Sequence, residues 1–297
     1  MDPTAQSPIG FIGLGVMGEA MCRNLARKSG RTVIGFDRSP APLERLDAHG
    51  VRTAGGPDEV AERCAVVFLC LPSGVHVDAV CRGPDGLLAC MRPGATVVDF
   101  GTSPVGLTRE LAAAFAAKGV RYADAPIART RQAAETGTLS ITVGADAETF
   151  EAVRPLLACC GSDITHCGPV GNGQIVKILN NMVLIETVVA LSEALAVARR
   201  SGLDGAVLFE ALSKGSADSF ALRNHGMKAV LPGTFPEQAF STAYALKDLG
   251  YALNLADEAG LPLDGARLAE RLLERAAEQG YRDLYWPVVS RVIGTAG

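Results

Sequence analysis

Ile9-Gly10-Phe11-Ile12-Gly13-Leu14-Gly15-Val16-Met17-Gly18 decides how the rest of the chain is read. Ile9 to Ile12 is a short apolar strand, which runs into G-x-G-x-x-G at Gly13, Gly15 and Gly18, with a helix-like Glu19 to Lys28 behind it. Gly13 permits a tight turn, Gly15 lets backbone approach a pyrophosphate, and Gly18 lets the helix pack close on the strand. The helix N-terminus adds N–H groups and the positive end of a dipole, so Leu14, Val16 and Met17 join the glycines as candidate cofactor contacts. Alone the pattern is weak. Here a second strand, Thr32 to Phe36, ends in Asp37, 19 residues after Gly18, where an acid that binds a ribose belongs.

Asp37 favours NAD, because a carboxylate accepts from ribose hydroxyls and repels a 2′-phosphate. Arg38 keeps NADP open: it could stack on adenine or, with Ser39, hold that phosphate. Outward from this turn, strands and helices alternate. A helix near Ala41 to His49 precedes a strand at Ala65 to Leu71, then come a helix near Val75 to Cys81 and a strand at Thr96 to Phe100. A near-continuous apolar run such as VVFLCL suits a parallel strand covered on both faces. In such a doubly wound sheet ligands sit beyond the carboxyl ends of the strands, so Leu71, Pro72 and Thr102 should border the cofactor. The alternation continues through helix Leu107 to Lys118, strand Arg121 to Ala123, a loop Asp124 to Gly137, strand Leu139 to Val143, helix Ala147 to Cys159 and strand Asp163 to His166. The dinucleotide domain is expected to cover residues 1–168.

The chain has 297 residues, enough for two domains, and 48% hydrophobic with 20% charged residues describes an ordinary globular protein. A formal net charge of −4 and the lack of any Lys/Arg cluster give no basic field for nucleic acid. The N-terminal MDPTAQSPIG lacks a basic segment followed by an apolar one, and no long uncharged apolar run occurs, so a cytoplasmic protein with no membrane partner is expected. Eight cysteines without metal spacing read as reduced, mostly buried thiols. The four scattered histidines, His49, His76, His166 and His225, form no ligand cluster, and no metal is expected. His166 beside Cys167 reads as structural.

Gly168 to Asn181, GPVGNGQIVKILNN, is a glycine-rich turn feeding an apolar helix. Helical spacing then runs unbroken from Gln174 to about Arg200, roughly 40 Å at 1.5 Å per residue, long enough to leave one domain and form the axis of another. Every later segment reads helical: Ala206 to Ser213, Ala221 to Val230, Ala243 to Glu258, Gly265 to Glu278 and Leu284 to Ile293. Residues 169–297 are therefore expected as an all-helical domain whose apolar content suits a subunit interface, in a homodimer or homotetramer. Lys177 and Asn181 stand four apart and project from one helix face, which places an ammonium and a carboxamide in the same space. Lys247 and Asp248 are adjacent and should face different ways, one toward a ligand and one toward a structural partner.

Four stretches together resemble the β-hydroxyacid dehydrogenases, the 3-hydroxyisobutyrate dehydrogenase-like enzymes with a fold like that of 6-phosphogluconate dehydrogenase. They are GFIGLGVMGEAM at 10–21, DAPIARTRQAAETGTLSITVGA at 124–145, GNGQIVKILNN at 171–181 and FSTAYALKDL at 240–249. The resemblance implies an N-terminal NAD(P)-binding domain, a long interdomain helix, a helical C-terminal domain, and reversible hydride transfer between a small anionic 3-hydroxyacid and its semialdehyde in the cleft where the domains meet. It implies that Lys177 is the catalytic lysine, with Asn181 one turn later holding the reacting oxygen or the acid group. An oriented lysine can take and return the hydroxyl proton, an effect typically of about 10² to 10⁴-fold. Acting as base requires it to give up its proton, which a closed, partly dry cleft promotes. Asn180 and Phe240 would line the substrate pocket, and Lys247 would close over the nicotinamide side.

The substrate loop departs from the family pattern. Where many members carry Ser-Gly-Gly to bind a carboxylate, this chain has Ala128-Arg129-Thr130, a pair similar to that of the sulfolactaldehyde reductases. The implied substrate is sulfonated or dianionic, with Arg129 as a bidentate clamp and Thr130 as hydroxyl donor; otherwise Arg129 turns outward onto Asp124 or Glu135. The region Gly215 to Ser219 does not resemble those reductases. Lys177 itself separates the chain from imine reductases, which carry another residue there. Two further readings stay open: a non-catalytic NAD(P)-binding sensor, and an NADP-linked semialdehyde reductase using Arg38.

Overall fold

Apolar β-branched runs bracketed by glycine build the first sheet. The computed structural model describes residues 7–237 and 239–293, so part of the N-terminal segment read above lies outside the described residues. The chain forms two compact units, Met1–Lys177 and Ile178–Gly297. In the first, β1 (Ile9–Ile12), α1 (Gly18–Lys28), β2 (Val33–Phe36), α2 (Pro40–Asp47), β3 (Val51–Thr53), α3 (Pro57–Arg63), β4 (Val66–Leu69), α4 (Gly74–Arg82), α5 (Leu87–Cys90), β5 (Thr96–Asp99), α6 (Val105–Ala116) and β6 (Arg121–Asp124) follow in order. All six strands are parallel in the order β3-β2-β1-β4-β5-β6, the doubly wound arrangement that puts ligands beyond the carboxyl ends of β1 and β4. Phe11, Phe68 and Phe100 stack through its core with centroids 5.1 to 6.3 Å apart.

The stretch expected as one loop, Asp124 to Gly137, is more ordered than that. It contains β7 (Ile127–Ala128) and α7 (Arg131–Thr136). Thr130 caps α7 by accepting from Ala133 N–H, and Gly137 ends it at φ 72°, in the left-handed region that glycine tolerates. β7 opens a second sheet, β7-β8-β9, made with β8 (Leu139–Val143) and β9 (Gly161–His166); α8 (Ala147–Leu157) joins the last two. β7 runs antiparallel and β9 parallel to β8. His166 is structural here, stacked on Phe150 at 4.4 Å with Nε2 2.8 Å from Ala145 O.

α9 (Asn172–Arg200) starts in the first unit and is the spine of the second. By its contacts the first unit extends through Lys177, past the expected boundary at 168. The first turn and a half stays with the sheet because Gly173 comes so close to Thr142 O and Gly144 N that a Cβ there would lie 2.6 to 2.8 Å from them. Beyond Lys177, α10 (Gly205–Leu212), α11 (Thr242–Glu258) and α12 (Asp264–Ala276) pack around Ile185, Val188, Leu191 and Leu195 of α9 and the fully buried Trp286. Two segments expected as α-helices differ in winding: Leu222–Val230 is π-helical, and Trp286–Arg291 is a 3₁₀-helix.

Candidate active site

Gly13 adopts φ 95°, and a Cβ there would lie 2.4 Å from Cys70 O, while one on Gly18 would lie 2.0 Å from Gly13 O. Both positions exclude any side chain. At Gly15, by contrast, nothing stands within 4 Å of a Cβ, so its backbone faces open space. That space is a cavity of about 570 Å³ lined by Leu14, Gly15 and Val16 on one side and Asp37 and Ser39 on another. Met17 precedes the helix as its N-cap residue. Asp37 is held by two backbone donors, Leu14 N–H to Oδ2 at 2.6 Å and Ser39 N–H to Oδ1 at 2.8 Å. A turn that admits no side chain at Gly13 or Gly18, an open cavity beside Gly15 and a fixed carboxylate at the ribose position fit a dinucleotide.

Arg38 is exposed and does not line this cavity; Arg45 does. The Arg45 guanidinium is gripped bidentately by Glu19 at 2.8 and 2.7 Å, and Arg45 holds the Glu19 carboxyl below its ordinary range. That pair was not legible in the sequence, since its members are 26 residues apart with no spacing rule linking them. Half-buried Leu71 reaches the Gly13 turn, while Pro72 is exposed.

Below Thr102 lies a buried polar network. Asp99 Oδ1 accepts from Gly101 N–H at 2.8 Å and Oδ2 from Ser103 Oγ at 3.2 Å. Gln174, in the first turn of α9, accepts from Ser103 N–H at 3.1 Å and donates to Gly101 O at 2.8 Å. Asp124 closes the set by accepting from Gly171 N–H at 2.7 Å and Gln174 N–H at 2.8 Å. Loop 101–103 and the start of α9 are thus one hydrogen-bonded body, three residues before Lys177. Burial pushes Asp99 up to about 7 and Asp124 up to about 6, against the pull of the N–H groups they accept from.

On α9, Lys177 is half-buried, Asn180 is exposed and Asn181 is 4% exposed. Asn181 Nδ2 donates to Asp248 Oδ2 at 2.6 Å, and its Oδ1 accepts from Asn180 Nδ2 at 3.1 Å. Lys247 does not face away from Asp248 as expected: its Nζ lies 3.0 Å from Asp248 Oδ1, because the long lysine stem folds back along α11. The ammonium also lies over the rings of Tyr244 at 5.4 Å and Tyr251 at 5.3 Å. Asp248, 2% exposed, therefore joins two predicted site residues. Phe240 sits beside this group, its ring stacked on Tyr244 at 6.3 Å.

Arg129 turns outward, onto neither expected partner. Asp124 is buried and occupied by N–H donors, and Glu135 pairs with Arg131 at 3.1 Å. The guanidinium instead meets Asp163 Oδ2 at 2.8 Å, Thr138 O at 2.7 Å and Ser162 Oγ at 3.1 Å. Its backbone is at φ 88°, alone in this among the described non-glycine residues, a conformation that costs about 1–3 kcal/mol. Ala128, half-buried, pairs with Ser140 across the sheet.

A doubly wound parallel sheet, a glycine turn beside an open cavity and a carboxylate fixed at the end of β2 define a dinucleotide-binding protein. Residues 8–168 match the family described as the NAD binding domain of 6-phosphogluconate dehydrogenase, and residues 171–286 that described as NAD-binding of NADP-dependent 3-hydroxyisobutyrate dehydrogenase. The chain belongs to the β-hydroxyacid dehydrogenase family. It is 36% identical over 278 residues to 2-(hydroxymethyl)glutarate dehydrogenase of Eubacterium barkeri, covering 93% of this chain and 92% of that one. With 3-hydroxyisobutyrate dehydrogenase of Pseudomonas aeruginosa it shares 38% over 265 residues, 86% of this chain and 88% of the relative. The structure of Mycobacterium tuberculosis 3-hydroxyisobutyrate dehydrogenase with L-serine matches with a TM-score of 0.86 at 30% identity, over 98% of this chain and 100% of that one.

Proposed function

We propose that the chain interconverts a small anionic 3-hydroxyacid and its semialdehyde, preferring NAD to NADP, with Lys177 as the proton relay. The observation that carries this is the pairing of Lys177 with Asn181 on a helix whose start is tied through Gln174 to loop 101–103. Bound in the cavity over Gly13 to Gly18, the dinucleotide supplies the hydride acceptor or donor. Lys177 takes the hydroxyl proton in oxidation and returns it in reduction. Asn181 offers the substrate oxygen the second N–H of its amide, the first being committed to Asp248. Thr130 Oγ accepts from Ala133 N–H, which leaves its proton to donate to a carboxylate, and Asn180 and Phe240 are the further substrate contacts proposed in the helical unit. NAD preference is supported by the Asp37 carboxylate, fixed by two N–H groups where a 2′-phosphate would have to sit.

A dianionic or sulfonated substrate is the second reading. It is supported by the Eubacterium barkeri relative, whose named substrate is a glutarate and so carries two carboxylates. It requires Arg129 to leave Asp163. We also propose a homo-oligomer, supported by exposed apolar residues along one face of α9: Val176, Leu179, Val183 and Val197.

The test is an oxidation and reduction screen with NAD(H) and NADP(H) over 3-hydroxyisobutyrate, serine, 2-(hydroxymethyl)glutarate and sulfolactate-type compounds. Lys177→Ala should lower kcat by about 10² to 10⁴-fold while NADH binding, followed by fluorescence, persists. Near-normal turnover in that variant would remove Lys177 from the chemistry, and NADH binding without turnover of any substrate by the wild type would favour a sensor.

A further inference from the structure

Ala128, Ser140 and Asp163 lie in register across β7, β8 and β9. From the residue after Ala128, the Arg129 side chain crosses the beginning of β8 and ends on β9. There its Nη1 donates to Thr138 O at 2.7 Å and Ser162 Oγ at 3.1 Å, and Nη2 meets Asp163 Oδ2 at 2.8 Å. Ser162 Oγ donates to the same Asp163 oxygen at 2.7 Å. The Ser162 hydrogen bond, with the hydrogen bond and charge of Arg129, holds the Asp163 carboxyl below its ordinary range. A carbonyl, a hydroxyl and a carboxylate together therefore fix the guanidinium in one place, at the one described non-glycine position with a left-handed φ, 88°. Such a conformation persists where the surroundings over-determine it, and the guanidinium contacts are those surroundings.

We propose that Arg129 is a positioning residue. Its side chain ties loop 128–130 to β9 and holds the loop backbone in a shape that glycine takes without help. This rests on the reading that loop 128–130 receives the substrate's carboxylate. The guanidinium itself does not read the substrate's far end, because turning it toward a ligand would give up all three tethers and release the backbone they restrain. The consequence is an order of variants that a clamp does not produce. Glycine needs no tether and no relief from strain, so Arg129→Gly keeps the loop. Alanine keeps the strain and loses the tether, so Arg129→Ala spoils it. Asp163→Ala, which removes the charged anchor alone, lies between them.

Kinetics of the three variants with NAD(H), on 3-hydroxyisobutyrate and 2-(hydroxymethyl)glutarate, test this together with thermal unfolding midpoints. Arg129→Gly should stay within about threefold of wild-type kcat/KM on whichever substrate turns over, whereas Arg129→Ala should raise KM at least about tenfold, equally for both acids, with kcat moved less. The midpoint of Arg129→Gly should exceed that of Arg129→Ala by several degrees. Equal losses in the glycine and alanine variants, confined to the dicarboxylate, would overturn the proposal and make Arg129 a clamp. If neither acid is turned over by the wild type, the reading of the substrate fails by itself, and the midpoints still decide: a glycine variant no more stable than the alanine variant overturns the tether.

Discussion

Asp248 is a carboxylate that touches no substrate in the proposed mechanism yet holds Asn181, which does, and pairs with Lys247. It takes one N–H of Asn181 at 2.6 Å and stands 3.0 Å from the Lys247 ammonium. Replacing it with asparagine removes the charge and offers one acceptor where two donors converge, so a buried donor is left short, at about 1–3 kcal/mol. Asp248→Asn should therefore lower kcat/KM by about ten- to a hundredfold; an unaltered kcat/KM would show that Asn181 holds its place by packing alone. At this scale the sequence was readable where placement follows from spacing along one helix, as for Lys177 and Asn181, which both lie on α9. It was not readable where partners lie far apart in the chain. Asp248 meets Asn181 across 67 residues. Likewise the carboxylate beside Arg129 is Asp163, brought there by the register of three strands and not by proximity to Asp124 or Glu135.

Among the elements, the strands and the glycine turn were legible because apolar β-branched runs and the G-x-G-x-x-G spacing are both local. What escaped is short: β3 has three residues, β7 two, α5 four and α3 seven. α7 had a readable signature in Thr130 and Gly137, masked by the reading of 124–137 as a substrate loop. The buried pair at the ends of β5 and β6 carries a prediction. Asp99, pushed up to about 7, and Asp124, up to about 6, hold protons more tightly in the folded chain than the ordinary 3.8. The stability that protonation confers is complete below the unfolded value and is lost as pH rises through about 6 and 7. His225 works with the opposite sign: burial lowers it to about 4, so its contribution is lost as pH falls from its ordinary value through about 4. A comparison with Asp99→Asn isolates the carboxyl. Denaturant unfolding should find that variant gaining on the wild type by about 1 kcal/mol per pH unit between pH 5 and 7, and a difference independent of pH would mean that Asp99 is ionised throughout.

At the scale of the whole molecule, each unit has its own apolar core, and the eight cysteines are free thiols. α9 is long and apolar enough by composition to cross a bilayer, yet Ile178, Ile185, Val188 and Leu195 on one side are buried within the protein. Its other side leaves Val183 at 58% and Val197 at 65% exposure. If a second copy covers that face, Val183→Glu with Val197→Glu should halve or quarter the mass seen by light scattering while leaving the NADH site folded; an unchanged mass would place the subunit contact elsewhere. Length and helical periodicity foretold an all-helical second part built on a helix that leaves the first, but not how closely the start of that helix is held to the sheet, because the backbone approach at Gly173 is a matter of three dimensions. Gln174 shows what that junction implies. Its amide uses both ends, accepting from Ser103 and donating to Gly101, and neither a carboxylate nor a hydrocarbon can do both. A change at Gln174 would therefore be felt at once in loop 101–103 and in the seat of Lys177, because one amide serves both.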